Sequence, residues 1–391
     1  MNSLKNKVLH FIKGTDKLLL LFALIASAFG TLMVYSAKLH TVEDGEFPRD
    51  ALVMIIAVVL GVILSLIISL IDYDIICKLW PIWAAVSIIL MILVMSPLGV
   101  APPSRPDSQV WLNLGFFYFQ PSELVKVLFI ITFSNHINAV KHNINKLSTV
   151  ALLLVHALIP TLLVMKSGDD GSAAVFLCIA AIMIFIAGIN WKYIVGALAV
   201  AVAAVPLLWF KFFSSYQKQR FIVIFKPEDY PDTAYQQNRS ITAINHGGFI
   251  GQGLFNGTYT QAGSVPVSES DMIFTVICEE LGFLGGMAAI LLLLAIVIRI
   301  VSMSKKSADS ASTLMCYGLG TMIASQTIIN IAMCLRLGPV IGITLPLFSA
   351  GGSSTLCTYL GLGLALSVYR TNYNQKPKNF RLNGVSTPFR V

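Results

Sequence analysis

Charge is scarce in this sequence. Of its 391 residues, 12% are Asp, Glu, Lys or Arg and 56% are hydrophobic, whereas a soluble domain carries about twice that charged fraction. Alternating ten-residue segments of a membrane barrel are missing too, as are a P-loop and a nucleophile elbow. No convincing internal repeat exists, which weakens an inverted-repeat transporter. The six cysteines (77, 178, 278, 316, 334, 357) contain no C-x-x-C pair and lie in or beside apolar runs. They read as small packing residues, with neither a metal site nor a structural disulfide expected.

What recurs instead is the apolar run. Runs lie near 18–37, 51–71, 79–97, 121–137, 148–165, 172–189, 193–210, 272–298, 313–335 and 353–369, each close to the ~20 residues that cross a bilayer as a helix. Their Gly and Pro residues are tolerated in spanning helices. The expectation is an all-α polytopic membrane protein of ten transmembrane helices, a single integral membrane domain over 1–391. "ASA" at 26–28 resembles a signal cleavage site, but the run continues to Ala37 and reads as an uncleaved span.

Positive charge orients the chain. Lys5, Lys7, Lys13 and Lys17 favour a cytoplasmic start. The inner loops then hold Lys78, Lys141 and Lys146, Lys192, and Arg299 with Lys305 and Lys306. The tail 370–391 adds Arg370, Lys376, Lys378, Arg381 and Arg390, while the first outer loop reads "HTVEDGEFPRD". Both termini are expected inside the cytoplasmic membrane. The segments 98–120, 211–271 and 336–352 then lie outside, the longest between helices 7 and 8. The net charge of +8 is mostly this topology signal and calls for no nucleic-acid partner.

The loop 211–271 exceeds ordinary helix connections, so it is functional or disordered. Its "YQKQRFIVIFKPEDYP", "AYQQNRSITAINHGG" and "GGFIGQGLFNGT" suggest an ordered structure with short amphipathic segments resting on the membrane. "RLGPVIGITLPLFSAGGSS" places Pro339, Gly342 and Pro346 among apolar residues. That pattern predicts non-helical backbone dipping toward the membrane, permitted only where protein or a wet cavity covers it.

Carboxylates crowd the start of the eighth run, in "SVPVSESDMIFTVICEELGFLGG", and at a bilayer boundary they need water, partners or substrate. Asp271 is open to two readings of equal weight. Ser268 with Asp271 has capping-box spacing. A straight helix from Asp271 to Ile298 would also be ~42 Å long, lifting Asp271 above the outer boundary where a polar substrate could meet it. Thr275 and Glu279 follow on the same face, and Glu280 points into the bundle. In "FQPSELVKV", Glu123 and Lys126 are spaced for a simple ion pair. Yet a lysine one turn into the outer end of a span is a functional candidate, suited to an anionic headgroup. Lys218, Arg220 and Lys226 form a basic group whose plain alternative is a solvated or headgroup-facing patch, favoured for Lys218 and Lys226. "SAGGSS", with Ser353 opening the last run, could cradle phosphate oxygens or equally serve as a hinge. His246 reads as a loop hydrogen bonder.

Four stretches together, "WLNLGFFYFQPSELVK", "YQQNRSITAINHGGFIGQG", "SVPVSESDMIFTVICEELGFLG" and "GPVIGITLPLFSAGGSS", resemble in order and spacing the SEDS family, the RodA, FtsW and SpoVE group. The resemblance covers nearly the whole chain. It implies a peptidoglycan glycosyltransferase polymerising lipid II outside the cytoplasmic membrane, beside a class B penicillin-binding protein and other members of a cell-wall synthesis complex. The family's essential acid falls on Asp271. Its "QPSE…K" falls on Gln120, Pro121, Ser122, Glu123 and Lys126, with Trp111 upstream. Departures are Val110 for a family arginine, "GDDG" keeping Asp169 and Gly171, "NHGG" for "SGG", "SAGGS" for "SYGGS", and Arg336 where a small residue is usual. "LFNGTYTQ" leans toward the RodA branch.

The implied chemistry fits these residues. A sugar hydroxyl attacking an anomeric carbon needs a base, Asp271. The leaving lipid pyrophosphate needs positive charge rather than a proton, for which Lys126 and Arg220 are the candidates. Glu123 and Glu280 would orient the cations or shape the cavity, and one inversion turns an α-linked donor into a β-linked product. A divalent cation, Mg or Mn, could assist, although no ligand cluster predicts a dedicated site. Two rivals remain: a flippase for lipid-linked precursor, or a non-catalytic scaffold activating a penicillin-binding protein.

Overall fold

Apolar segments that leave water must satisfy every backbone N–H and C=O internally, which makes each long run a helix. The computed structural model describes residues 14–43, 45–101, 108–115, 118–304 and 309–375. Lys5, Lys7, Lys13, Arg105, Lys305, Lys306 and the tail residues Lys376, Lys378, Arg381 and Arg390 lie outside the described residues. In order, the chain forms α1 (Lys17–Lys38), α2 (Arg49–Leu70), α3 (Tyr73–Lys78) and α4 (Trp80–Val94). A small antiparallel sheet follows, β1 (Gly99–Val100), β2 (Trp111–Asn113) and β3 (Tyr118–Phe119), with Trp111 opposite Val100 and Leu112 opposite Phe119. Next come α5 (Pro121–Val140), α6 (Leu147–Lys166), α7 (Asp170–Ile186) and α8 (Trp191–Leu207). The remainder is α9 (Ser215–Phe225), α10 (Pro231–Gly247), α11 (Thr258–Gln261), α12 (Ile273–Ser304), α13 (Ser310–Cys334) and α14 (Gly352–Gln375).

All ten expected runs are helical. Among the described residues, seven helices are long and apolar enough to cross a membrane, those beginning at Lys17, Arg49, Pro121, Leu147, Trp191, Ile273 and Ser310. α4 and α7 are shorter apolar helices. α14 is long but polar, and burial explains the polarity: Ser353, Ser354, Thr355, Thr358 and Ser367 are all buried. The chain is thus a multi-pass membrane protein whose last helix lies within the bundle. The segment 98–120, expected as a loop, carries the three-stranded sheet.

Small residues let α14 press against α2. A Cβ on Gly363 would stand 2.8 Å from the Ser65 Cα, and one on Gly61 would stand 2.7 Å from the Tyr359 ring. Close backbone approach is how helices gain packing where no hydrophobic effect drives them together.

Two expectations are corrected. The helix after Asp271 starts at Ile273 and breaks at Gly282 (φ 65°, ψ −164°), so it is neither straight nor 42 Å long, and Asp271 precedes it. The capping-box frame fails with it, because Asp271 sits outside the first turn. A side chain at Gly282 would collide with the backbone of Phe249, Ile250 and Gly251. The loop 211–271 is more firmly docked than short segments resting on a membrane. α10 buries Ala234, Gln237, Ser240, Ala243 and Gly247 along one stripe. A Cβ at Gly247 would lie 1.9 Å from the Cys278 carbonyl. Gln237 Nε2 donates to the carbonyls of Met333 (3.1 Å) and Gly338 (2.7 Å), and Ser240 Oγ donates to that of Cys334 (2.8 Å). These bonds satisfy carbonyls that the end of α13 leaves open.

Gly363→Ala is expected to lower the melting temperature in detergent, since backbone blocks its methyl and overpacking costs about 1–3 kcal/mol. Gly196→Ala, where the new methyl meets no other described part of the chain within 4 Å, should melt at or slightly above the wild type, since Ala favours helix over Gly by about 1 kcal/mol. Equal melting of both variants would refute the close α2–α14 contact.

Candidate functional site

Pro121 at the start of α5 places Gln120 at its N-cap and Glu123 in its first turn. Lys126 follows one turn later, wholly buried, with Nζ 2.7 Å from Glu123 Oε1. The simple ion pair is therefore the resting arrangement. Asp169, which the sequence marks only as a retained acid, organises the neighbouring turn. Its Oδ2 accepts from Gln120 Nε2 (2.9 Å) and Ser122 Oγ (2.6 Å), and its Oδ1 accepts from Ser172 N (3.0 Å). Ser353 Oγ accepts from Gln120 N and donates to the Tyr118 carbonyl, both at 3.1 Å. The Trp111 ring leans on Tyr118 at 5.7 Å, in the sheet that leads into this turn.

Asp271 lies half-buried in the turn before α12. Asn330 Nδ2 donates to the carbonyls of Asp271 (2.8 Å) and Ile343 (2.7 Å). Ser349 Oγ donates to the Ser270 carbonyl (2.6 Å), and Ala350 N donates to that of Glu269 (2.8 Å). Residues 336–351 are non-helical, with Ile343, Leu345, Leu347 and Phe348 buried, as the proline and glycine spacing predicts. Residues 349–353 consequently join the Asp271 turn to the Gln120 turn. The structure thus brings Gln120, Ser122, Glu123, Lys126, Ser353 and the Asp271 turn to one end of the bundle.

The other acids have structural tasks. Glu279 is fully buried and accepts from Tyr259 N (2.6 Å), Thr260 N (2.9 Å) and Thr260 Oγ1 (2.6 Å). Glu280 accepts from Ser36 Oγ (2.5 Å), Phe255 N (3.1 Å) and Gln261 Nε2 (3.2 Å). These partners are hydroxyl, amide and backbone groups, not the basic side chains that the sequence reading gave it to orient. Glu269 meets Lys38 at 3.2 Å. His246, expected as a loop hydrogen bonder, instead lies in the last turn of α10, with its Nδ1 3.7 Å from Glu279 Oε1.

Arg220 is buried on α9, unlike the exposed Lys226. Gln217 of the same helix donates to Asp170 Oδ2 at 2.9 Å, tethering α9 beside the start of α7. Asn330 escaped the sequence reading, and Ser349 entered it only as part of "SAGGSS", not as a partner of the Asp271 turn. Their signals, a lone Asn in an apolar helix and a Ser beside a glycine pair, acquire meaning only from the carbonyls opposite them.

Together, the fold and this end of the bundle define a polytopic membrane protein with a polar site where its spans open. The family described as "Cell cycle protein", FtsW, RodA and SpoVE, matches residues 16–374, and the chain belongs to it. The peptidoglycan glycosyltransferase MrdB of Escherichia coli K12 is 30% identical over 289 residues, 73% of this chain and 78% of that one. A probable peptidoglycan glycosyltransferase FtsW of Trichlorobacter lovleyi is 31% identical over 359 residues, 90% and 92% of the two chains. A chain of a peptidoglycan synthase complex that coordinates polymerization and crosslinking superposes with TM-score 0.77 at 24% identity, covering 92% and 98%. The rod shape determining protein RodA of Thermus thermophilus does so with TM-score 0.66 at 22% identity, over the same shares. These matches do not separate the RodA branch, toward which "LFNGTYTQ" leans, from the FtsW branch.

Asp169→Ala strips a buried acceptor from three donors at once, and should cost roughly 2–4 kcal/mol of stability. Asp169→Asn, which keeps one acceptor for Ser172 N, should cost less. Thermal melts of purified protein check the order, and equal melting of all three proteins would refute this role for Asp169.

Proposed function

We propose that this chain is a peptidoglycan glycosyltransferase that polymerises lipid II at the outer face of the cytoplasmic membrane, working beside a class B penicillin-binding protein. The observation that carries the reading is a family match spanning residues 16–374, in which the sequence motifs for a base and a cation meet at one end of the bundle. The acceptor hydroxyl attacks the anomeric carbon of the donor, forming the new C–O bond as the bond to pyrophosphate breaks. The hydroxyl proton passes to the Asp271 carboxylate. Negative charge grows on the departing pyrophosphate, where Lys126 and Arg220 stabilise it. Lys126 rests on Glu123 at 2.7 Å, so it exchanges that carboxylate for the donor. Gln120, Ser122, Ser353 and Trp111 shape the pocket around the donor, and the packed Glu280 supports its wall.

The topology that serves this reaction has ten crossings, with both termini in the cytoplasm and 98–120, 211–271 and 336–352 outside. Cysteine at the exposed Thr258 should react with an impermeant maleimide in cells stripped of their outer barrier, and cysteine at the exposed Asn143 only after lysis. Protection of Thr258→Cys until lysis would remove the extracytoplasmic polymerase.

Asp271→Asn should abolish polymer formation from labelled lipid II while melting close to the wild type, because the Asn330 bond to the carbonyl of residue 271, which helps hold the turn, survives the substitution. Near-normal polymer from Asp271→Asn would eliminate the base, and lipid II movement without polymer would favour the flippase. Lys126→Ala alone leaves the Glu123 charge buried and should destabilise as well as inactivate. Combining Glu123→Gln with Lys126→Met removes the pair without stranding a charge. That double variant should recover stability but not use of lipid II, and recovery of both would reduce the pair to a structural role.

A further inference from the structure

One buried polar side chain in the bundle stands apart from these assignments. Gln326 of α13 is 1% exposed, and neither its Oε1 nor its Nε2 has a hydrogen-bond partner among the described residues. A buried amide with no partner forfeits the hydrogen bonds it made to water, and such groups in a native fold call for an explanation. An apolar side chain of the same size would fill the position without that penalty.

Helix register fixes its height. Gly318 of α13 packs on Ile130 of α5 and Met183 of α7, while Gly361 of α14 packs on Leu319 and Met322. Both α13 and α5 point their Cys334 and Pro121 ends toward the joined turns of the site, so the two run antiparallel. One turn from Met322 toward the site is Gln326, and one turn from Gly361 in the same direction is Cys357. At 1.5 Å per residue each step is about 6 Å, so the two stay level. Cys357 lies within electrostatic reach of both Glu123 and Lys126. Ile130 of α5 is level with Gly318, and the two turns that reach Gln326 from Gly318, about 12 Å, run along α5 from Ile130 past Lys126 to Glu123. Gln326 therefore stands at the height of the buried ion pair, one turn beneath the Asn330 that holds the Asp271 turn.

We propose that Gln326 is a positioning residue held in reserve for this pair. When Lys126 leaves Glu123 for an anionic ligand, the Gln326 amide donates to the abandoned Glu123 carboxylate. This rests on the polymerase reading, in which the anion is the pyrophosphate of lipid II. It accounts for a neutral donor kept without a partner in the resting state. A second lysine there would compete with Lys126, and a hydrocarbon would leave Glu123 buried and unpaired whenever Lys126 moved. The exchange requires no change in net charge inside the bundle.

Gln326→Met removes the amide and keeps most of its volume. Melting temperature should hold or rise, since no resting bond is lost, while kcat/KM for labelled lipid II should fall roughly tenfold, the scale of stranding a buried acceptor. Lys126→Met should mask the effect, the double variant being no worse than Lys126→Met alone. Binding can be read without turnover in Asp271→Asn, as the rise in melting temperature that lipid II produces. Adding Gln326→Met should shrink that rise. Lower melting of unliganded Gln326→Met, wild-type use and binding of lipid II, or losses that multiply with those of Lys126→Met would each overturn the proposal. Failure of the polymerase reading would show separately, as no polymer from the wild type, and the lipid II melting shift would still decide the role of Gln326.

Discussion

Everything at the open end of this bundle depends on one requirement: backbone that leaves the helical pattern inside an apolar setting must find its hydrogen bonds elsewhere. The chain breaks helix at Gly282, at the end of α13 and throughout 336–351, and each break is met by particular groups. The amides of Gln252 and Gly253 bond the carbonyls of Glu279 and Glu280 just before Gly282. Gln237 and Ser240 take up the carbonyls at the end of α13. Asn330 and Ser349 hold the non-helical segment against residues 270–271. The site is assembled as a consequence, because the backbone freed at these breaks is what converges there.

The Glu123–Lys126 pair poses a different energetic problem. Two charges taken out of water lose several kcal/mol of hydration each, and their mutual attraction barely offsets it. Hydrophobic residues would serve stability as well, so the pair is poor evidence for a stabilising device. It is suited to exchange, since a lysine already desolvated and held beside one carboxylate can pass to another anion without further loss of water. The ion pair seen for Lys126 and the pyrophosphate contact proposed for it are thus compatible as successive states of one side chain. Asp169 differs in kind. Three donors saturate it, and its task is to fix the turn in which Glu123 begins.

The spans were legible because an apolar run of about twenty residues has one solution in a bilayer. Even α14, too polar to rank with the most apolar spans, was found from its run at 353–369. The dip at 336–352 was legible from Pro339, Gly342 and Pro346, residues that cannot sit quietly in a helix. Other features were hidden for physical reasons. Gly282 lies inside an unbroken apolar run, and its positive φ is imposed by the loop packed on it, which no local pattern records. The docking of α10 depends on small residues spaced to meet α12, distant in sequence. Among the candidate site residues, Glu123 and Lys126 showed themselves by charge at a span's edge. Asn330 and Ser349 did not, because their partners are backbone carbonyls and carbonyls carry no sequence signal.

The acids at the mouth of α12 looked alike in sequence, and their surroundings separate them. Glu279 and Glu280 each accept three hydrogen bonds from the chain, so replacing Glu279 would release loop backbone and replacing Glu280 would release both loop backbone and α1. Glu269 is committed to Lys38. Asp271 is held at the site through its carbonyl, by Asn330, so its position is set by backbone. Glu279 and Glu280 are held instead through the carboxylates themselves, so neither can take another partner without loosening the chain it binds.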